Sequence, residues 1–192
     1  FALNGISFWE EFGPSALTAK IRAEGMYNFG PSLSPNNAFY ILQGIETLSL
    51  RMKKHIENTK MMLEFLKENE AVSWLRHPDL EDHPDHKIAK KILPLGSGSI
   101  IVFGIKGGRD AGKAFIENVK LSSHLANVGD AKTLLIHPGS TTHSHLSSEA
   151  MKMSGLTDDL IRLSVGLEDI EDIKIDFEKG FKAAAKILSK RG

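Results

Sequence analysis

The segment Leu160-Ile161-Arg162-Leu163-Ser164-Val165-Gly166 places one guanidinium in the middle of an apolar run. Strand alternation puts Ile161, Leu163 and Val165 on one face and Leu160, Arg162 and Ser164 on the other. An arginine so placed must find an anion or reach water, because a buried unpaired charge costs several kcal/mol. Its planar fork matches a carboxylate through two parallel hydrogen bonds. An internal salt bridge, or an arginine on an exposed face, satisfies the same pattern, and both stay open.

Two other stretches carry polar chemistry. Ala126-Asn127-Val128-Gly129-Asp130-Ala131-Lys132, followed by His137-Pro138-Gly139-Ser140-Thr141-Thr142-His143-Ser144-His145, is rich in hydroxyls and amide donors that could line an anion site. Its three histidines have no carboxylate at ligand-like spacing and the chain has no cysteine, so loop histidines are expected rather than a metal centre. A triad of Ser140, His143 and Asp130 lacks the Gly-x-Ser-x-Gly elbow. Gly96-Ser97-Gly98-Ser99 and Gly104-Ile105-Lys106-Gly107-Gly108 match neither phosphate-binding glycine motif and read as turns at strand ends.

The elements that must position these residues are legible in the spacing of apolar side chains. A short helix is expected over 15–26, ended by Gly30-Pro31. Ser34 as N-cap and Pro35 at the first helical position then open the strongest helix signal. Ala38, Ile41, Leu42, Ile45, Leu48, Met52, Ile56, Leu63 and Leu66 share one face, and the pattern runs to about Asn69. An unbroken helix over 35–69 would be roughly 52 Å long at about 1.5 Å per residue. A compact domain of this size is only about 42 Å across. Such a helix joins two domains or packs on another subunit, unless it kinks near Gly44 or Asn58.

Strands are expected at Val72–Leu75, Ser99–Ile105, Ser122–Leu125, Leu134–Ile136 and Leu160–Val165, with helices at Lys87–Leu93 and Arg109–Val119. Ile170, Ile173, Phe177, Phe181, Ala184, Ala185 and Leu188 form the apolar face of a terminal helix. Strands alternating with helices predict an α/β fold in which helices cover one face of a small sheet.

Composition narrows the function classes. The chain has 192 residues, with 24 Lys+Arg balanced by 24 Asp+Glu. It therefore has no long-range field to hold nucleic acid or an anionic bilayer. No apolar run reaches the roughly 18 residues of a membrane span. The absence of cysteine removes disulfides, thiolate metal sites and thiol nucleophiles from this chain and suits a cytoplasmic setting. It opens on Phe1-Ala2-Leu3-Asn4-Gly5, without an initiator Met or a signal peptide, and is expected to be a fragment or processed product.

Several motifs in order resemble the cystathionine synthase/lyase family of pyridoxal-phosphate (PLP) enzymes, which have the aspartate-aminotransferase fold. They are Leu33-Ser34-Pro35-Asn36-Asn37-Ala38-Phe39, Leu42-Gln43-Gly44-Ile45-Glu46-Thr47-Leu48-Ser49-Leu50-Arg51-Met52, Phe103-Gly104-Ile105-Lys106-Gly107-Gly108, His137-Pro138 with Thr142-His143, and Ile161 to Asp169. Gln43-Gly44-Ile45-Glu46 and Leu125 to Lys132 are similar to the O-acetylhomoserine sulfhydrylase branch.

The resemblance implies the C-terminal part of such an enzyme: the end of the large PLP-binding domain (1–34), a connecting helix (35–69) and a C-terminal small domain (70–192) with a mostly antiparallel sheet. It implies an activity on O-acetyl-L-homoserine with sulfide or a thiol, giving homocysteine or methionine plus acetate, in a homotetramer. Methionine γ-lyase, cystathionine γ-synthase and a stand-alone carboxylate-binding module are the alternatives. Arg162 aligns with the arginine that clamps the substrate α-carboxylate, Asn127 with a residue that bonds the same group, and Thr142 with a nearby hydroxyl. The family's Schiff-base lysine lies in a Ser-x-Thr-Lys setting that does not occur here, and Lys20 has the wrong context. No catalytic, cofactor-binding or metal-binding residue is therefore expected in this chain, and the chain alone is expected to bind no PLP.

Overall fold

The structure, a computed structural model, describes residues 2–3, 5–138 and 155–189. It divides into two units, Phe1–Glu46 and Thr47–Gly192.

In the first unit, β1 (Ala2–Leu3) pairs antiparallel with β2 (Ile6–Ser7). The Ser7 hydroxyl accepts the Glu10 N–H at 3.4 Å and so caps α1 (Phe8–Phe12). After a 3₁₀ turn at Gly13–Ser15, α2 (Ala16–Lys20) widens into a π-helical turn at Ile21–Met26 and closes in α3 (Tyr27–Phe29). Gly30, left-handed at φ 53°, stops it. Ser34 caps α4 (Pro35–Glu46) by accepting the Asn37 N–H at 3.2 Å. Of residues 5–46 only Phe8 is buried.

The continuous helix expected over 35–69 is two helices. At Thr47 the backbone leaves the helical basin (φ −104°, ψ 3°), and α5 (Leu48–Glu68) begins. Thr47 is β-branched, which disfavours the helix interior, while its carbonyl already accepts the Arg51 N–H of α5 at 3.1 Å and its hydroxyl accepts from Arg51 Nε at 3.4 Å. Gly44 and Asn58, the places named for a kink as the alternative to an unbroken helix, lie inside α4 and α5.

The second unit is built on a sheet of β3 (Val72–Arg76), β4 (Ile100–Ile105), β5 (Leu134–Ile136) and β6 (Leu160–Ser164). The spatial order is β3-β4-β6-β5, antiparallel at every pair. The helices are α5, α6 (His86–Ile92), α7 (Gly108–Asn118) and α8 (Ile170–Ser189). Ile101, Phe103 and Ile105 of β4 and Ile161 and Leu163 of β6 bury one sheet face against Met62 and Leu66 of α5, Phe115 of α7, and Phe177 and Phe181 of α8. The ring of Phe115 lies 4.8 Å from that of Phe181 and 5.3 Å from that of Phe177. Fully burying each such side chain stabilises the fold by about 1.5–3 kcal/mol.

The strand expected at Ser122–Leu125 is reduced to a single parallel bridge between Ser123 and Leu134. Ser123 bonds Thr133 and Leu135 (2.9 Å each), but the Leu125 N–H turns back onto the Ser123 carbonyl at 3.0 Å and ends the pairing; just before it, Asp176 of α8 accepts the N–H groups of Lys120 (2.6 Å) and Ser122 (3.0 Å). Among the described residues no helix is long and apolar enough to cross a membrane.

Candidate functional site

Strand alternation in β6 is realised as expected. Ile161 and Leu163 are fully buried in the core, and Arg162 emerges half-buried on the opposite face. Arg162 pairs with Val102 of β4 on one side and Ile136 of β5 on the other. One guanidinium nitrogen, Nη2, donates to the carbonyl of Asn127 at 3.2 Å. Among the described residues no carboxylate lies within ion-pair distance of it. Among the described residues Arg162 is therefore neither ion-paired nor fully exposed.

Asn127 therefore meets Arg162 through its backbone. Its side chain closes its own turn instead: Oδ1 accepts the Val128 N–H at 2.9 Å, and Nδ2 donates to Asp130 Oδ2 at 3.3 Å. Asp130 completes that turn by accepting the Lys132 N–H at 3.0 Å, the main cause that holds its carboxyl below the usual range. Thr142, Ser140, His143 and His145 lie outside the described residues. His137 is buried, and its Nε2 donates to the Asp158 carbonyl at 2.8 Å. Lys20 pairs with Glu24 at 2.8 Å and sits 5.3 Å over the Phe8 ring. The 104–108 glycine-rich segment is the turn from β4 into α7.

A cavity of about 450 Å³ opens beside Arg162. Its walls include Trp74 and Arg76 of β3, Val102 of β4, Ile136 of β5, Leu160, and the two histidines His77 and His83. Trp74 is fixed from two sides. Its Nε1 donates to Asp159 Oδ2 at 2.8 Å, and Gly104 opposite it in β4 leaves the room that a Cβ would fill. Asp159 also accepts from the Ser73 hydroxyl at 3.0 Å. Burial alone would raise its pKa, but the Thr157, Ser73 and Trp74 donors outweigh burial and keep it ionised. His77 is buried, and desolvation lowers its pKa against the pull of Asp79. Its Nδ1 accepts the Asp79 N–H at 3.1 Å, which fits the neutral ring.

Trp74, Arg76 and His77 carry no sequence motif. The expected strand Val72–Leu75 held Trp74 but stopped one residue short of Arg76, so their shared face was not legible in the sequence. The resulting site has a hydrophobic floor, a fixed indole wall and cationic groups, with no acidic residue among the described lining. Such a lining is chemically suited to an anion.

The family described as Cys/Met metabolism PLP-dependent enzyme matches residues 13–182. The chain is 45% identical over 181 residues to a sulfhydrylase of Fusarium oxysporum, covering 94% of this chain and 42% of that protein. It is 45% identical over 176 residues to an O-acetyl-L-homoserine sulfhydrylase of Thermus thermophilus, covering 92% and 42%. A crystal structure of a putative O-acetylhomoserine (thiol)-lyase from Campylobacter jejuni, bearing a pyridoxyl-lysine phosphate, superposes with a TM-score of 0.78 at 31% identity, over 90% of this chain and 40% of that one. The chain thus spans about 42% of the length of the curated relatives it matches.

Proposed function

Because the chain belongs to the Cys/Met metabolism PLP-dependent enzyme family, we propose that it is the substrate-carboxylate end of a PLP-dependent O-acetyl-L-homoserine sulfhydrylase. The whole protein would convert O-acetyl-L-homoserine and sulfide or a thiol into homocysteine or methionine plus acetate. On this reading residues 1–34 end the large domain, 35–69 connect it, and 70–192 form the small domain. The assembly would be a homo-oligomer.

The observation that carries the reading is Arg162: half-buried, held by the Asn127 carbonyl, facing a cavity, and without a carboxylate partner among the described residues. A guanidinium so prepared loses little freedom when it grips the α-carboxylate of an amino acid. Asn127 acts here as a positioning residue, its carbonyl aiming the fork. Thr142 is proposed as a further hydroxyl contact.

On this reading the PLP site is not made by the described residues of this chain. No lysine is among the described residues that line the Arg162 cavity, and Lys20 is engaged with Glu24. The cofactor belongs, on this reading, to the part of the relatives' length that the chain does not span. Mixing the 192-residue chain with PLP is expected to give no visible absorbance of a lysine-bound cofactor.

The decisive test is Arg162→Ala and Arg162→Lys in the full-length enzyme. Truncation is expected to raise the KM for O-acetyl-L-homoserine and lower kcat/KM by about 2–5 kcal/mol, with partial rescue by lysine. Unchanged kcat/KM would remove the assignment. Supplying sulfide and cysteine as competing acceptors separates a sulfhydrylase from a cystathionine synthase.

A further inference from the structure

The grip on Arg162 comes from a turn that the hydrophobic core does not hold. Among the described residues the Asn127 carbonyl is the one hydrogen-bond partner of the guanidinium, at 3.2 Å. Asn127 stands in an excursion of the chain whose ends meet where the Ser123 N–H donates to the Thr133 carbonyl at 2.9 Å. The large apolar side chains of that excursion, Leu125 and Val128, are 53% and 67% exposed, so core packing does not fix its place.

What ties it to the sheet is polar. Glu168, past the end of β6, returns its carboxylate to Thr133, which is fully buried. Oε1 accepts the Thr133 N–H at 2.7 Å, and Oε2 accepts the Thr133 hydroxyl at 2.8 Å. The same hydroxyl oxygen accepts the Gly166 N–H at 2.9 Å, and the Leu167 N–H donates to the Ala131 carbonyl at 2.8 Å. A Cβ on Gly166 would fall on Glu168 Oε2 and on the Thr133 nitrogen, so only glycine lets the carboxylate close on the turn. Among the described residues no cation pairs with Glu168. Its charge is spent on two aimed donors of one residue, and bonds to an ionised acceptor are about twice as strong as neutral ones. Arg162 and Glu168 thus leave the same strand and hold the same excursion at two points, Asn127 and Thr133.

We propose that Glu168 is a positioning residue: its carboxylate sets the 127–133 turn, and the turn sets the direction in which the Arg162 guanidinium meets the substrate carboxylate. The inference rests on the reading of Arg162 as the α-carboxylate clamp and adds the group that keeps the clamp in register. Glutamine at 168 keeps the length of the side chain and one acceptor, but it presents an N–H to one of the two Thr133 donors and leaves that donor unmatched.

The test is made in the full-length enzyme with two inhibitors of one length: L-norvaline, which bears the carboxylate, and L-norvalinamide, which does not. Glu168→Gln is expected to weaken norvaline about tenfold, the order of one charge-assisted hydrogen bond, and to leave norvalinamide within about twofold. The KM for O-acetyl-L-homoserine should rise with the norvaline constant. Thr133→Val, which removes the hydroxyl and spares the backbone bond, should act in the same direction, and Thr133→Ser should restore binding. In an Arg162→Ala background, Glu168→Gln should change neither inhibitor further. Equal weakening of both inhibitors, an unmoved norvaline constant, or a full further loss in the Arg162→Ala background overturns the proposal. So does failure of both Glu168→Gln and Thr133→Val to fold, read by circular dichroism, because the pair would then serve the fold alone. If Arg162→Ala itself leaves the preference for norvaline over norvalinamide intact, the clamp reading falls and takes this proposal with it.

Discussion

Trp74 Nε1 donates to Asp159 Oδ2 at 2.8 Å across the face of Gly104, so a tryptophan of β3 is locked by the residue that precedes β6. The lock exists because Gly104 has no side chain: a Cβ there would fall on the indole nitrogen, the Asp159 carboxylate and the Ser73 hydroxyl. Gly104→Ala should therefore displace the indole and cost about 1–3 kcal/mol, as overpacking does. The Trp74 emission maximum should shift to the red, and the urea midpoint should fall. An unshifted emission spectrum would show that the indole is not seated on Gly104.

Asp176 ties α8 to the segment after α7. Burial alone would raise its pKa, but the amide donors of Lys120, Ser122 and Leu121 together outweigh burial and hold it below its ordinary value of 3.8. A carboxyl depressed in the folded state stabilises it above the unfolded value, and that contribution is lost as pH falls through the folded value. Asp176→Asn should cost about 1–3 kcal/mol at neutral pH. The gap between variant and wild type should narrow once pH drops below the ordinary carboxylate value. Denaturant curves at about pH 7 and about pH 3 test the sign. A gap that widens in acid would contradict it.

Gly180 of α8 faces Phe115 of α7 at a separation that admits no methyl group. A Cβ on Gly180 would stand 2.6 Å from Phe115 Cδ2 and 3.0 Å from its carbonyl oxygen. Gly180→Ala is expected to cost about 1–3 kcal/mol through displacement of that ring. Phe115→Leu in the same chain should recover part of the loss, because the flat edge that clashes is gone. Thermal unfolding of the two single variants and the double variant measures the coupling. Strict additivity would mean that the two helices relax apart without involving Phe115.

Asn58 is the anchor between α5 and the exit of β6. Its Nδ2 donates to the carbonyls of Gly166 (3.0 Å) and Glu168 (2.9 Å), while His55 Nδ1 donates to the Val165 carbonyl at 2.7 Å one turn earlier. Asn58→Leu leaves the buried Gly166 carbonyl, at about 1–3 kcal/mol, and the part-buried Glu168 carbonyl without their donor. Hydrogen exchange should accelerate at Thr133 and Gly166, whose amides belong to the adjoining bonds to Glu168 and the Thr133 hydroxyl. Unchanged protection there would sink this role for Asn58.

Much of the architecture was written in local spacing. The Ser34 cap, the amphipathic α8 and the alternation of β6 depend on residues within a turn or two of one another, so their signals survive in one dimension. The continuous helix over 35–69 broke at one β-branched residue, Thr47, whose backbone leaves the helical basin. The strand expected at Ser122–Leu125 stopped after one bridge because the Leu125 N–H turned back onto the Ser123 carbonyl instead of reaching β5.

The sequence by itself determined that one arginine stands on the far face of a buried strand, and that the chain carries the motifs of a PLP-dependent family without its lysine motif. Tertiary structure alone decided what that arginine meets. Pairing β3, β4 and β6 in one register brings Arg76 and Trp74 to Arg162, and the turn at Asn127 turns a carbonyl, not an amide, toward it. Register is set by the sum of side-chain packing over the whole sheet, a quantity no short window of residues contains.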